Sequence, residues 1–422
     1  MNHQRVVILG AGGVTGKSVA EFLYNRGDYV LGVDKDTCAL AKCLFLHERY
    51  CDSSDDFPEH VDLCIRSPGI KMSHPWIVEA RRRQIPILSD IQLAFQDAEF
   101  NKYPSLGITG SNGKTTTSLF LVHLFRILGL PAHAMGNIGI PILQAMQYPS
   151  IRVVEMSSFQ LEGQEMVIPV LSGGVILNIF PNHLDYHQTM QAYSEAKNNI
   201  IYCLQNSASL WVGENVSEGK SYVEYTQGIQ EVLDKESALK PIYLHDRNNY
   251  FAAYVLASEI VRVTPEAFLS AVRTFEKPAH RIEYLGEKNG VRYINDSKAT
   301  TMSAVEKALI VVKENVIVIL GGRNKGSDFT SLIPILTQAA KYVVAMGECR
   351  EEIAQALSDT LPLTQAQDLQ EAVTLAQRVA QPGDVILLSP GCASFDQFKS
   401  FEERGNVFKQ LVGDVEALEY EP

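Results

Sequence analysis

The run Gly107-Ile108-Thr109-Gly110-Ser111-Asn112-Gly113-Lys114-Thr115-Thr116 has the make-up of a phosphate-binding loop. Glycines let the main chain wrap an anion, a lysine neutralises the outer phosphates, and the hydroxyl beside it can ligate Mg²⁺. An apolar stretch precedes the loop and a helical pattern follows it, so backbone N–H groups and a helix dipole converge on one point. The spacing departs from G-x-x-x-x-G-K-[ST]: Ile108 stands at the first glycine position, and the glycine falls one residue earlier. A plain glycine turn is the alternative reading, and the strand–loop–helix context speaks against it. Gly110, Ser111, Asn112, Gly113, Lys114, Thr115 and Thr116 therefore form the expected ATP site.

Other groups invite weaker readings. Gly10-x-Gly12-x-x-Thr15-Gly16 approaches a dinucleotide fingerprint, with Asp34 near the place of a ribose-binding acid, but Thr15 fills the third-glycine position. A different phosphate-bearing ligand at this helix N-terminus fits better, and a purely structural turn is the bland alternative. Asn178 to His187 carries two imidazoles, His183 and His187, and a carboxylate just after an apolar strand, where α/β enzymes place functional loops. Glu155 ends a strand and could serve a metal or a salt bridge, and Lys197 on its own reads as a solvated lysine. Late in the chain, Asn295 to Thr301, Gly321 to Lys325 and Ser389 to Asp396 each gather polar groups after an apolar run. Ligands bind at such carboxyl ends of strands.

The elements that would position these groups alternate between strand and helix. Apolar runs at Val6–Leu9, Tyr29–Val33 and Val61–Ile65 predict a first parallel sheet; Leu106–Ile108, Arg152–Met156 and Gly174–Asn178 predict a second. Tyr293–Asn295, Val316–Leu320, Tyr342–Met346 and Val385–Leu388 predict a third, after a helix over Pro265–Thr274 that Pro278 cannot extend. The fold class is α/β with three domains, expected over residues 1–93, 94–277 and 278–418.

At 422 residues the chain is too long for a single core, and its 46% hydrophobic and 20% charged content is that of a globular protein. A formal charge of −12 argues against a general nucleic-acid binder. Seven cysteines, scattered and without a C-x-x-C pair, read as reduced thiols. Neither a signal peptide nor an apolar run of the roughly 18 residues needed to span a bilayer is evident, which predicts a cytoplasmic protein without membrane insertion.

Taken together, Gly110 to Thr115, Glu155-Met156-Ser157-Ser158-Phe159-Gln160-Leu161-Glu162, Asn182-His183-Leu184-Asp185, His280-Arg281, Asn295 to Thr300 and Ser389 to Arg404 resemble the Mur ligase family. The resemblance runs from about Val6 to about Leu411. It implies an N-terminal Rossmann-like domain for a UDP-linked substrate, a central P-loop ATPase with a mainly parallel sheet, and a C-terminal Rossmann-like domain for the incoming amino acid. It also implies a reaction: ATP phosphorylates the carboxylate of UDP-N-acetylmuramoyl-L-alanine, and the amine of D-glutamate attacks the acyl phosphate. Activation of this kind is needed because a free carboxylate repels nucleophiles, whereas in the acyl phosphate positioning can do most of the work.

The resemblance further assigns residues. Lys114, Glu155, His183 and Lys197 are the implied catalytic set, with Thr115 and Glu155 at one Mg²⁺, and His183 and a carbamylated Lys197, carrying CO₂, at a second. Asn249, Arg281, Asp296 and Lys298 match the adenosine side of the ATP site. Val14, Thr15, Asp34, Lys35, Gly69 and Asn137 match contacts to the UDP-linked substrate, although Asp36 stands where an arginine is often found. His280, Thr300, Lys325, Ser394 and Phe401 match the region that receives D-glutamate. A monomer is expected. The rival readings are a Mur or folylpolyglutamate-type ligase with another acceptor, a non-catalytic nucleotide-binding regulator and a nicotinamide dehydrogenase.

Overall fold

The computed structural model describes residues 3–51, 55–163, 168–234, 244–313, 315–324 and 326–413. Three sheets organise them. The first holds β1 (Arg5–Leu9), β2 (Tyr29–Asp34), β3 (Glu48–Cys51), β4 (Leu63–Arg66) and β5 (Ile87–Ser89), all parallel, in the order β3-β2-β1-β4-β5. The strand order reverses beside β1, so the crevice of this Rossmann-type sheet opens at the Gly10 turn.

The second sheet holds β6 (Ser105–Thr109), β7 (Ala132–Gly136), β8 (Ile151–Glu155), β9 (Gly173–Asn178), β10 (Leu210–Glu214) and β11 (Lys220–Ser221). It too is parallel throughout, in the order β11-β10-β9-β6-β8-β7. Strand β6 is buried along its whole length, as expected of an inner strand covered on both faces. It delivers the chain into Gly110 and then into the helix Lys114–Ile127.

That helix starts at Gly113, whose φ of 87° is a left-handed conformation suited to glycine, and it carries no carboxylate in its first turn. Its positive end is thus left for an anion. Phe120 on its buried face stacks on Tyr250 at 4.2 Å between ring centroids and meets Phe268 and Phe275 edge-on. This aromatic packing docks the helices Leu244–Ser258 and Pro265–Thr274 on the one that follows the loop.

The third sheet holds β12 (Glu283–Lys288), β13 (Val291–Asn295), β14 (Val316–Gly321), β15 (Ala340–Met346), β16 (Leu363–Ala366) and β17 (Val385–Gly391). The order is β12-β13-β17-β14-β15-β16, parallel except for the hairpin partner β12. Both β14 and β17 are buried throughout. They adjoin where the connections switch direction, which puts the loops after Gly321 and after Gly391 side by side.

The first two sheets belong to one compact unit and the third to another, which also includes the segment Phe180–Asp185. Among the described residues, no helix is long and apolar enough to cross a membrane.

Candidate active site

The phosphate loop is braced from behind by Asn178 at the end of β9. Its carbonyl accepts from Ser111 N at 2.9 Å. Its side chain accepts from Asn112 N at 3.0 Å and donates to Asn112 O at 3.2 Å. Lys114 folds back over the loop, with Nζ donating to Gly110 O at 2.7 Å and Ser111 O at 3.2 Å. A Cβ placed on Gly113 would lie 2.2 Å from Asn249 Oδ1, so Asn249 sits at the loop itself. Thr115 is half-buried and Thr116 is buried in the first turn of the helix.

A charged layer lies beneath. Glu155, ending β8, is 2% exposed; Asn137 Nδ2 donates to its Oε1 at 2.9 Å, and among the described residues its buried Oε2 has no hydrogen-bond partner. A buried carboxylate oxygen left in that state suits a hard divalent cation such as Mg²⁺. Asn137, expected against the UDP-linked substrate, is thereby seen to hold this carboxylate.

Lys197 is not the solvated lysine that its sequence suggests. The helix Met190–Asn198 turns Tyr193, Ala196 and Lys197 inward, leaving Lys197 1% exposed. Its Nζ donates to Gly110 O at 2.9 Å and lies 4.7 Å from the Tyr193 ring centre. Burial holds this amine well below the usual lysine range; the charge of Lys114 adds to the shift and Glu155 opposes it. Tyr193 OH pairs with Ser111 Oγ at 2.9 Å, and burial pushes the phenol up to about 12. Tyr193 and Asn178 were not among the expected site residues. Tyr193 stands one helical turn before Lys197, the spacing that puts two side chains on one face.

Of the two imidazoles, His187 is buried with Nε2 3.0 Å from Ser158 Oγ and stacks on Phe159. His183 sits at φ 54° in the segment Phe180–Asp185, grouped with the second unit.

In the first sheet, Asp34 Oδ2 accepts from Gly12 N at 2.9 Å and Oδ1 from Asp36 N at 3.0 Å, so the acid pins the glycine turn. Asp36 caps the helix Thr37–Ala41 through Ala39 N. The close packing expected of a third glycine is done by Gly16 rather than at Thr15: a Cβ on Gly16 would lie 2.2 Å from Gly10 O. Val14 is 74% exposed at the start of its helix, Thr15 is half-buried and Lys35 is exposed. Gly69, at φ 95°, has open space where a side chain would be.

In the second unit, residues from three loops meet. His280 Nδ1 is 2.9 Å from Asn295 Nδ2, and its carbonyl accepts from Lys298 N at 3.1 Å. Burial pulls the His280 imidazole below its usual range. Lys298 Nζ lies 3.8 Å from the centre of the Phe401 ring. Asp296 accepts from Ser389 Oγ at 2.9 Å and Ile282 N at 3.1 Å, and burial still raises its carboxyl to about 7 against the pull of those bonds and of Arg281. Arg404, fully buried, bridges Ser297 and the Cys392 carbonyl and so ties the loop after β13 to the loop after β17. Ser394 is buried in the latter loop and Thr300 is half-buried in the former. Lys325 lies outside the described residues.

Residues 108–231 match the model of the Mur ligase middle domain, and residues 280–392 match that of the Mur ligase glutamate ligase domain. The chain is 72% identical to the UDP-N-acetylmuramoylalanine–D-glutamate ligase of Chlamydia caviae, covering 99% of this chain and 100% of the relative. It is 59% identical to the enzyme of that name from Chlamydia pneumoniae, over 98% and 99% of the two chains. Among solved structures it is similar to the UDP-N-acetylmuramate-alanine ligase MurC of Thermotoga maritima, with a TM-score of 0.54, 18% identity and coverage of 97% and 99%. It is also similar to the MurF ligase of that organism in complex with ADP, with a TM-score of 0.57, 16% identity and coverage of 91% and 95%. These two likenesses speak to the fold alone.

Proposed function

We infer that this chain, which belongs to the Mur ligase family, adds D-glutamate to UDP-N-acetylmuramoyl-L-alanine using ATP, a step of peptidoglycan precursor synthesis. The observation that carries the reading is full-length identity of 72% to a ligase of that specificity. The arrangement of Lys114, Lys197 and Glu155 around one glycine loop supports it.

Within that reading, the loop amides from Gly110 to Thr116 and Lys114 hold the β- and γ-phosphates of ATP, and Asn249, which sits at the same loop, serves its adenosine side. Thr115 and Glu155 would hold one Mg²⁺, and Lys197 would serve a second. Bound Mg²⁺ supplies positive charge to the phosphate oxygens as the γ-phosphoryl group leaves. The buried Oε2 of Glu155 is the free ligand position. Lys197 is suited to carry CO₂ as a carbamate, because only an uncharged amine reacts with it and burial favours that form. The carbamate would replace a cation by an anion next to a metal.

Val14, Thr15, Lys35 and Gly69 receive the UDP moiety, on a turn that Asp34 holds in shape. His280, Thr300, Lys325, Ser394 and Phe401 receive D-glutamate, whose carboxylates suit cationic and hydroxyl donors. Its amine then attacks the acyl phosphate and orthophosphate leaves. A cytoplasmic reaction on soluble nucleotide substrates fits this reading, which takes the chain to act as a monomer.

Phosphate release tests the reading. Turnover should require Mg²⁺, UDP-N-acetylmuramoyl-L-alanine and D-glutamate together. Equal turnover with L-alanine or meso-diaminopimelate would refute the specificity, and release without an amide product would refute the ligase.

A further inference from the structure

Arg66 ends β4 just before the turn Ser67–Ile70, and it is 3% exposed although it carries a full charge. A guanidinium so buried is stable only where fixed acceptors replace its water. They come from the second sheet's loops as well as its own. Nη2 donates to Phe159 O at 2.7 Å and to Glu162 O at 3.4 Å. Nη1 donates to Ile70 O at 2.9 Å, to the Tyr186 hydroxyl at 3.1 Å and to Glu162 Oε2 at 3.4 Å. Tyr186 in turn donates to Glu162 Oε2 at 2.7 Å, and its ring stands edge-on to Phe159 with centroids 4.6 Å apart.

The same turn is seated on the first glycine turn. Ser67 Oγ donates to Gly10 O at 3.3 Å, and a Cβ on Gly10 would lie 3.0 Å from Ser67 Cβ and 3.6 Å from Ile70 Cγ1. A continuous path of contacts thus runs from Gly10 through Ser67–Ile70 and Arg66 into the segment that begins at Glu155 and ends at Glu162.

We propose that Arg66, with Glu162 and Tyr186, is a positioning knot that fixes the turn receiving the UDP-linked substrate against the Glu155-bearing segment of the phosphate site. The knot touches neither ATP nor the reacting atoms; it sets how the substrate carboxylate arrives. A fork with several acceptors is required, since lysine offers a point charge that cannot span Ile70, Phe159 and Glu162 at once. The inference rests on the UDP-substrate role given above to Gly69 and its neighbours.

The test uses the full chain with Arg66→Lys, Tyr186→Phe and the double variant. Arg66→Lys should raise KM for the UDP-linked substrate about tenfold and Tyr186→Phe about threefold, with KM for ATP moved less than about twofold. The double variant should be no worse than Arg66→Lys, because the two groups act through one network. An unchanged UDP-substrate KM in both single variants overturns the proposal, as does a parallel rise in the two KM values. A structural role alone would lower Tm without that split. If Arg66→Lys does not fold, Tyr186→Phe and Glu162→Gln decide by the same criterion. Calorimetric binding of the UDP-linked substrate keeps the two ideas apart. If it binds the wild type and weakens in the variants while D-glutamate supports no turnover, the acceptor assignment fails and the knot stands.

Discussion

The turns at Gly10 and Gly110 share one backbone device. Each follows a buried parallel strand inside its sheet, bends through a glycine of positive φ (80° and 149°) and opens a helix. What stands behind them differs. Under Gly110 lie two lysines, a buried carboxylate and a tyrosine, with Lys114 and Lys197 both donating to the same carbonyl. Behind Gly10 lies Asp34, which takes the Gly12 amide, and the helix begins with an exposed valine. On the reading proposed above, the backbone device would hold a phosphate at either turn, and the charges beneath Gly110 would decide that the phosphate there is transferred.

This contrast can be broken at several points. Lys114→Ala should lower D-glutamate-dependent phosphate release by about a thousandfold or more, while the dissociation constant of the UDP-linked substrate stays within about twofold. Calorimetry on the variant checks this, and loss of both ligands together would deny that the turns do separate work. Lys197→Ala should cost about a hundredfold in kcat and be partly restored by millimolar short carboxylates standing in for the carbamate. No recovery across a series of such acids would count against the carbamate.

On the other turn, Asp34→Asn should raise KM for the UDP-linked substrate about threefold and leave KM for ATP alone, since it loosens the Gly12 and Asp36 amides and no bond of the Gly110 loop. An effect on ATP instead would reverse the assignment of the two turns.

The smallest effect concerns stability. Asp90 is buried against Gln160, which lies in the segment after Glu155, and burial raises its carboxyl to about 6. The folded state therefore holds a proton that the unfolded chain has already lost over the window from the ordinary carboxylate range up to about 6. Asp90's contribution is fully present below that window and is lost as pH rises through it. Asp90→Asn keeps a neutral side chain at every pH. It should flatten this part of the Tm profile and raise Tm by about 3 °C at neutral pH; a variant that is less stable there would contradict the buried neutral form.

Inner strands were legible in the amino-acid sequence because, covered on both faces, they are continuous apolar runs. Every edge strand of the three sheets was not: β3, β5, β7, β11, β12 and β16 are short or half-exposed and carry no such run. The inner strand β10 escaped as well. The site divides the same way. Loop residues next to each other in the chain, from Gly110 to Thr115, announce their chemistry through local spacing. Lys197, Tyr193 and Arg66 do not, because their roles come from burial against residues far away in the chain, as when Lys197 meets Gly110. Asn137 has a further contact that its motif did not announce: its amide faces Glu155, a pairing visible only once β7 and β8 lie side by side.

The central claim is that the γ-phosphoryl group of ATP is passed to the carboxylate of the UDP-linked substrate before D-glutamate attacks. It can be followed by labelling that carboxylate with ¹⁸O and analysing the released orthophosphate by mass spectrometry after turnover. The account predicts one labelled oxygen in each phosphate released; unlabelled phosphate formed together with the amide product would contradict it.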